Sequence, residues 1–274
     1  MEHLEERGYL PDSNRLSVVA STILLAYALT PFVSLPPLQL NLGLAGALFP
    51  VSINFGAVIS LLAALLAGAG ADWLLRGHPG LDLQSLPQHW ILPALTAWVI
   101  GVPLNSLKVG ASWWAVFALG GVLLVLVLMA EYIVVDFNDV RFGPATIGVT
   151  AVSYALFLVL AISGRAAGLR LYLELPAVVA AVAVVTLRTL YLRLGGRWSI
   201  HWGVGVALAV GGLVVGLHYW PISPLSYGLF LLGPAYSLSS LAGSIEEGHP
   251  ARTIWVEPGL MTLALWTLAF ILGR

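Results

Sequence analysis

The chain has 274 residues, of which 59% are hydrophobic and only 9% charged, with 12 Lys and Arg against 13 Asp and Glu and a net charge of −1. A mean hydropathy of +0.93 excludes water as the main solvent, because soluble domains carry about one quarter charged residues. The near-neutral balance gives no basic field for nucleic acid, and the absence of cysteine removes disulfides, thiolate metal sites and cysteine nucleophiles.

Residues 1–15 carry Glu2, Glu5, Glu6, Arg7, Asp12 and Arg15 and read as a polar, solvent-facing tail. Residues 16–274 read as a single transmembrane helical domain. The first apolar run, Leu16 to Val33, is read as a retained helix, since no small-x-small cleavage site follows cleanly and further spans come after it. Residues 34–49 hold Pro36, Pro37 and several breakers but no charge. They read as a loop lying in the interface or dipping into the bilayer, where its backbone would have to bond protein. A second helix is expected from Pro50 to Leu75, followed by a polar connection over 77–89. Further spans are expected over 89–107, 112–135, 145–163, 171–194, 200–219, 225–243 and 253–272. Each is close to the roughly 20 residues that cross about 30 Å of hydrocarbon. The fold class is therefore all-α, a polytopic transmembrane helical bundle of about nine spans, or eight if the first loop costs one.

Alternation of nine spans makes the basic residues a test of orientation. With a cytoplasmic N-terminus, the inner segments hold Arg7, Arg15, Arg76, Arg141, Arg188, Arg193, Arg197 and Arg252, and the outer ones only Lys108, Arg165, Arg170 and Arg274. The bias favours that orientation, and it places most of the acids and His201 at the inner face. Tryptophan and tyrosine at Trp90, Trp113, Trp114, Tyr172, Trp198, Trp202, Tyr219, Trp220 and Trp255 fit an aromatic belt. Gly203, Ala207 and Gly211 in the seventh span, with Gly212 and Gly216, mark a helix able to approach its neighbours closely and suited to the centre of the bundle.

The densest polar cluster follows the fourth span, where Glu131, Asp136, Asn138, Asp139 and Arg141 end an apolar run. Asp136 and Asp139 are one helical turn apart and could share a magnesium ion, as in the acidic pattern of membrane prenyltransferases, but no second aspartate-rich motif accompanies them. The alternative is a solvated loop whose acids pair with Arg141 and cap the next helix. Glu131, about one turn inside its span, reads as a proton-linked or ligand-contacting group or as an ion pair with Arg188 or Arg141. Arg188, near the end of the sixth span, is expected to snorkel. His201 and His218 are too far apart on one helix to share a metal, and no HExxH occurs. Glu246, Glu247 and Arg252 resemble the EExxxR signature of intramembrane proteases, but the arginine stands one position too far and the histidine partners are missing.

The close of the second span, Gly70-Ala-Asp72-Trp73-Leu-Leu-Arg76-Gly-His78-Pro79, together with the proline-rich first loop, resembles an uncharacterised bacterial family of polytopic membrane proteins. The resemblance implies the architecture, with localisation in a bacterial inner membrane, and no residue role. Three functional readings stay open. The first is binding or transport of a small or lipophilic molecule through an inward-facing polar cavity, with Glu131, Asp136, Asn138, Asp139, Arg141, Arg188 and His201 as candidate ligand-binding residues. The second is a magnesium-dependent lipid or prenyl transferase, and the third is a structural or assembly subunit. The expected partners are the lipid bilayer, a lipid or small-molecule ligand, and another membrane protein or a second copy. No cofactor, resident metal or nucleic acid is expected.

Overall fold

A computed structural model of the chain describes residues 11–33, 35–44, 47–78, 87–137, 139–250 and 254–273. In chain order its elements are α1 (Ser13–Leu29), β1 (Leu38–Leu44), β2 (Ala47–Ile53), α2 (Phe55–Leu75), α3 (Pro87–Ser106), α4 (Ala111–Ile133), α5 (Phe142–Ala166), α6 (Leu171–Arg193), α7 (Ile200–His218), α8 (Pro224–Glu246) and α9 (Val256–Leu272). The all-α transmembrane class read from composition is the class that forms. Hydrocarbon offers no partner to a backbone amide, and a helix bonds its own. Among the described residues, seven helices are long and apolar enough to cross a membrane: α1 with the 3-10 turn that extends it, α2, and α4 to α8. The 17-residue α9 is shorter, and the 20-residue α3 carries Pro93 and Pro103 in its interior.

The segment expected to be an interfacial or dipping loop forms an antiparallel hairpin, with Leu38 opposite Ile53, Leu40 opposite Val51 and Leu42 opposite Phe49. The strict alternation in Leu38-Gln-Leu40-Asn-Leu42-Gly-Leu44 is the strand period. It also moves the start of the second helix from Pro50 to Phe55, where Asn54 caps it by accepting from the Ala57 amide at 2.7 Å.

The described chain divides into two compact units, Met1–Asp139 and Val140–Arg274. In the first, α2 presents Gly56, Ser60, Ala63, Ala67 and Ala71 at three- and four-residue intervals, all buried, and α3 packs on α2. Polar ties hold α3 to the other helices. The Tyr27 hydroxyl of α1 donates to the Ala97 carbonyl at 2.6 Å, Asn105 Nδ2 donates to Ser60 Oγ at 3.0 Å, and Trp113 Nε1 donates to the Leu104 carbonyl at 3.1 Å. Trp113 is thus a core residue whose indole N–H bonds a carbonyl, while its neighbour Trp114 is exposed as a belt residue would be. Arg15, read as part of the tail, belongs to α1 and lies over the Trp73 ring while donating to the Trp73 carbonyl.

In the second unit the central helix is α8, not α7. α8 is the most buried of the candidate spans and touches α5, α6, α7 and α9. On α7 only one face is covered. A side chain added at Gly203 would meet Leu187 and one at Gly211 would meet Val179, both on α6, whereas Gly212 and Gly216 face open space. Gly203 and Gly211 therefore serve packing against α6. Gly203→Leu should overpack this contact and cost about 1–3 kcal/mol, while Gly212→Leu should leave stability within about 0.5 kcal/mol. Thermal unfolding of the two variants in detergent checks this, and equal midpoints would refute the assignment.

Candidate functional site

Antiparallel neighbours bring the first turn of one helix beside the last turn of the next, and in each unit this meeting carries a buried acid and a histidine. In the first unit, His89 opens α3 and Glu131 closes α4. Nδ1 of His89 and Oε2 of Glu131 lie 2.8 Å apart, with side chains only 4% and 1% exposed. One partner of Glu131 is thus the His89 imidazole. His78, buried just beyond the end of α2, stacks edge-on against Tyr132 at 4.6 Å. Burial pushes the His78 imidazole below its ordinary value; the charges of Asp136 and Asp139 oppose that shift, and His89 adds to it.

Glu131, Asp136 and Asp139 are therefore gathered at one end of the first unit around two histidines that the sequence reading did not single out. The carboxylates of Asp136 and Asp139 do not share a helix face, because α4 stops at Ile133 and the Asp139 amide closes a turn onto the Asp136 carbonyl at 3.2 Å. Asn138 lies outside the described residues, as do the polar tail over 1–10, Pro79, Asp82, Arg252 and Arg274. Arg141, in the second unit, is the exposed N-cap residue of α5, which starts at Phe142. Among the described residues, no group of three or more His, Asp or Glu is placed to hold one metal ion.

The second unit repeats the device with Glu174 in the first turn of α6 and His218 closing α7, Oε2 and Nδ1 being 2.7 Å apart. Tyr227 of α8 brings its hydroxyl beside Glu174. The Arg165 guanidinium covers the Tyr227 ring at 5.3 Å and donates to the His218 and Trp220 carbonyls that end α7. Arg188, expected to reach the interface, is 1% exposed, and its guanidinium lies over the ring of Tyr191, one turn further along α6. His201 is exposed and pairs with Glu246 at 3.2 Å, an oxygen that also accepts from Trp202 Nε1.

The same unit contains a cavity of about 530 Å³. Both α5 and α9 pack on α8, and the cavity opens between them, with Ile147, Leu232, Met261 and Leu265 supplying apolar wall. Its polar end is built by α6 and α8. Arg193, the last residue of α6, donates to both carboxylate oxygens of Glu247 at 2.6 and 2.8 Å, to the Ser240 carbonyl and to Ser244 Oγ. Gly243 leaves the room its guanidinium occupies. Glu247 is held in reach by a Schellman end to α8: Gly248 takes φ 75°, its amide bonds the Ile245 carbonyl, and the His249 amide bonds the Ser244 carbonyl. Beside this clamp, Tyr236 and Ser240 both donate to Glu257 at 2.6 and 3.1 Å. None of the residues singled out from sequence lines the cavity; Arg193 was weighed there only as a topological charge.

Comparison with known proteins adds one result. Residues 35–272 match the family described as Protein of unknown function (DUF5656). The chain belongs to this family. No curated protein and no solved structure matches it. The DUF5656 match begins after α1 and runs through α9, so the hairpin, the buried acid–histidine pairs and the cavity all fall inside it.

Two consequences can be measured. Glu131→Ala takes the carboxylate from a buried imidazole and should cost about 3–5 kcal/mol, seen as a large fall in the thermal midpoint; Glu131→Gln, which still offers Nδ1 a polar partner, should cost less. An unchanged midpoint in Glu131→Ala would refute a stabilising pair. The Arg193 guanidinium holds the Glu247 carboxyl below the ordinary glutamate range. Because its folded value is depressed, this contribution is complete above the unfolded glutamate value and is lost as pH falls through the folded one. Acid unfolding of the wild type should therefore carry a component in that window which Glu247→Gln abolishes. Identical pH profiles would remove the clamp from the stability of this unit.

Proposed function

We propose that this chain is an integral membrane protein that binds a lipophilic small molecule in the cavity of its second unit. The carrying observation is the cavity itself: about 530 Å³ lies within the roughly 300–1,000 Å³ of ligand sites, with a predominantly apolar wall and hydroxyls collected at one end. Nine spans with a cytoplasmic N-terminus, in a bacterial inner membrane, support an inward-facing polar end. In that topology α5 and α9 begin, and α6 and α8 end, at the inner face, and those are the ends that carry Arg193, Ser240, Glu247 and Glu257. The gap between α5 and α9 faces hydrocarbon, so a molecule dissolved in the bilayer can enter sideways with its head toward the clamp. Binding needs only this opening.

Filling the wall tests the proposal. Native mass spectrometry of the protein extracted gently from its own membrane should show a stoichiometric small molecule or lipid. Leu232→Trp and Leu265→Trp, each placing an indole in the cavity, should lose it while remaining folded by circular dichroism. A wild-type protein with no retained molecule, or both variants retaining it in full, would overturn the proposal.

A further inference from the structure

The polar end of the cavity carries more negative than positive charge. Arg193, the charged residue among those that line it, is met by both carboxylate oxygens of Glu247. Glu257, in the first turn of α9, is answered differently: among the described residues its oxygens accept from the hydroxyls of Tyr236 and Ser240, which are neutral. The histidines at this end do not supply the missing charge, because His201 stands against Glu246 and His249 against Glu247, each at 3.2 Å. Nor do the helix dipoles, since α5 and α9 begin here while α6 and α8 end here, and their contributions offset. One guanidinium therefore faces two carboxylates, those of Glu247 and Glu257.

Glu257 stands one hydrogen bond behind two residues that line the cavity, Tyr236 and Ser240, so its charge is felt there through them. Tyr154 lines the cavity as well, and its ring meets that of Tyr236 at 67° with centroids 5.4 Å apart. Two rings at that angle form a corner rather than a stack. Aromatic rings attract cations, and recognition of quaternary ammonium groups is a recurring use of that attraction. A carboxylate behind one of the rings adds to it and repels an anion, while an uncharged head gains from neither.

Resting on the binding reading above, we infer that the cavity takes an amphipath with a cationic ammonium head, placed at the Tyr154–Tyr236 corner in the field of Glu257. The test uses the full chain in micelles of an uncharged maltoside detergent with three photoactivatable probes of equal chain length: a quaternary ammonium, the corresponding alcohol and the corresponding carboxylate. Labelled peptides are mapped by mass spectrometry, and labelling of the α5, α8 and α9 wall is divided by that of α1 to remove differences in partition. Expected is wall labelling by the ammonium about threefold above the alcohol, the factor for a charge as exposed to solvent as Glu257, and about tenfold above the carboxylate, which the same charge repels. Glu257→Gln keeps an acceptor oxygen and removes the charge; it should bring ammonium labelling down to the alcohol level and leave alcohol labelling unchanged. The probe ratios on the wild type hold whether or not this variant folds, which circular dichroism reports. Alcohol or carboxylate labelling equal to that of the ammonium, or undiminished ammonium labelling in a folded Glu257→Gln, overturns the inference and leaves the binding site standing. Failure of all three probes to label the wall overturns the binding reading as well.

Discussion

An ionisable side chain taken into a bilayer must bring its partner with it, because the surrounding hydrocarbon supplies neither hydrogen bond nor counter-charge. The described structure obeys this at each deeply buried acid. Glu131 meets His89, and Glu174 meets His218 with Tyr227 alongside. Both pairs join the opening turn of one helix to the closing turn of another. That position is not incidental: antiparallel packing puts those two turns at the same level, where helix ends also leave backbone groups to satisfy. A pair placed there fixes the axial register of two helices that apolar packing alone would let slide.

The same rule decides which helix becomes the centre. α8 contains five serines and two prolines and is the least apolar of the seven candidate spans, yet it is the most buried. A helix with that composition is poorly suited to lipid, and surrounding it with α5, α6, α7 and α9 gives its hydroxyls protein partners: Ser226 donates to the Ala269 carbonyl and Ser237 to the Pro258 carbonyl. α7, richer in glycine and apolar between the histidines near its two ends, leaves one face uncovered. Glycine content marks how close two helices come, whereas residual polarity marks which helix must be enclosed.

This explains what was legible in advance. Spans, their approximate limits and the helical class follow from apolar run length, which hydrocarbon thickness imposes regardless of packing. The hairpin was present as the alternation at Leu38, Leu40, Leu42 and Leu44, masked by an expectation of helix or loop in an apolar chain. The partner of Glu131 was not legible, because His89 is 42 residues away and only the antiparallel pairing of α3 with α4 joins them. Yet a rule was available: acids and histidines at the facing ends of consecutive spans deserve pairing, and it would have found Glu174 and His218 too. Arg193 and Glu257 were hidden for a different reason. A cavity is a failure of packing between α5 and α9, and nothing in either helix alone encodes the distance between them.

On the binding reading, the division of the cavity into a wide apolar wall and a small polar end has a chemical consequence. Apolar surface discriminates weakly, each methylene being worth about 1–3 kcal/mol, while a site built for hydrogen bonds rejects molecules that cannot make them far more strongly. The wall formed by Ile147, Leu232, Met261 and Leu265 would therefore accept a range of chains drawn from the bilayer, and identity would be read at the polar end. There the Arg193 guanidinium is paired with Glu247, whereas Glu257 is held by the neutral hydroxyls of Tyr236 and Ser240, which satisfy its oxygens without supplying a counter-charge.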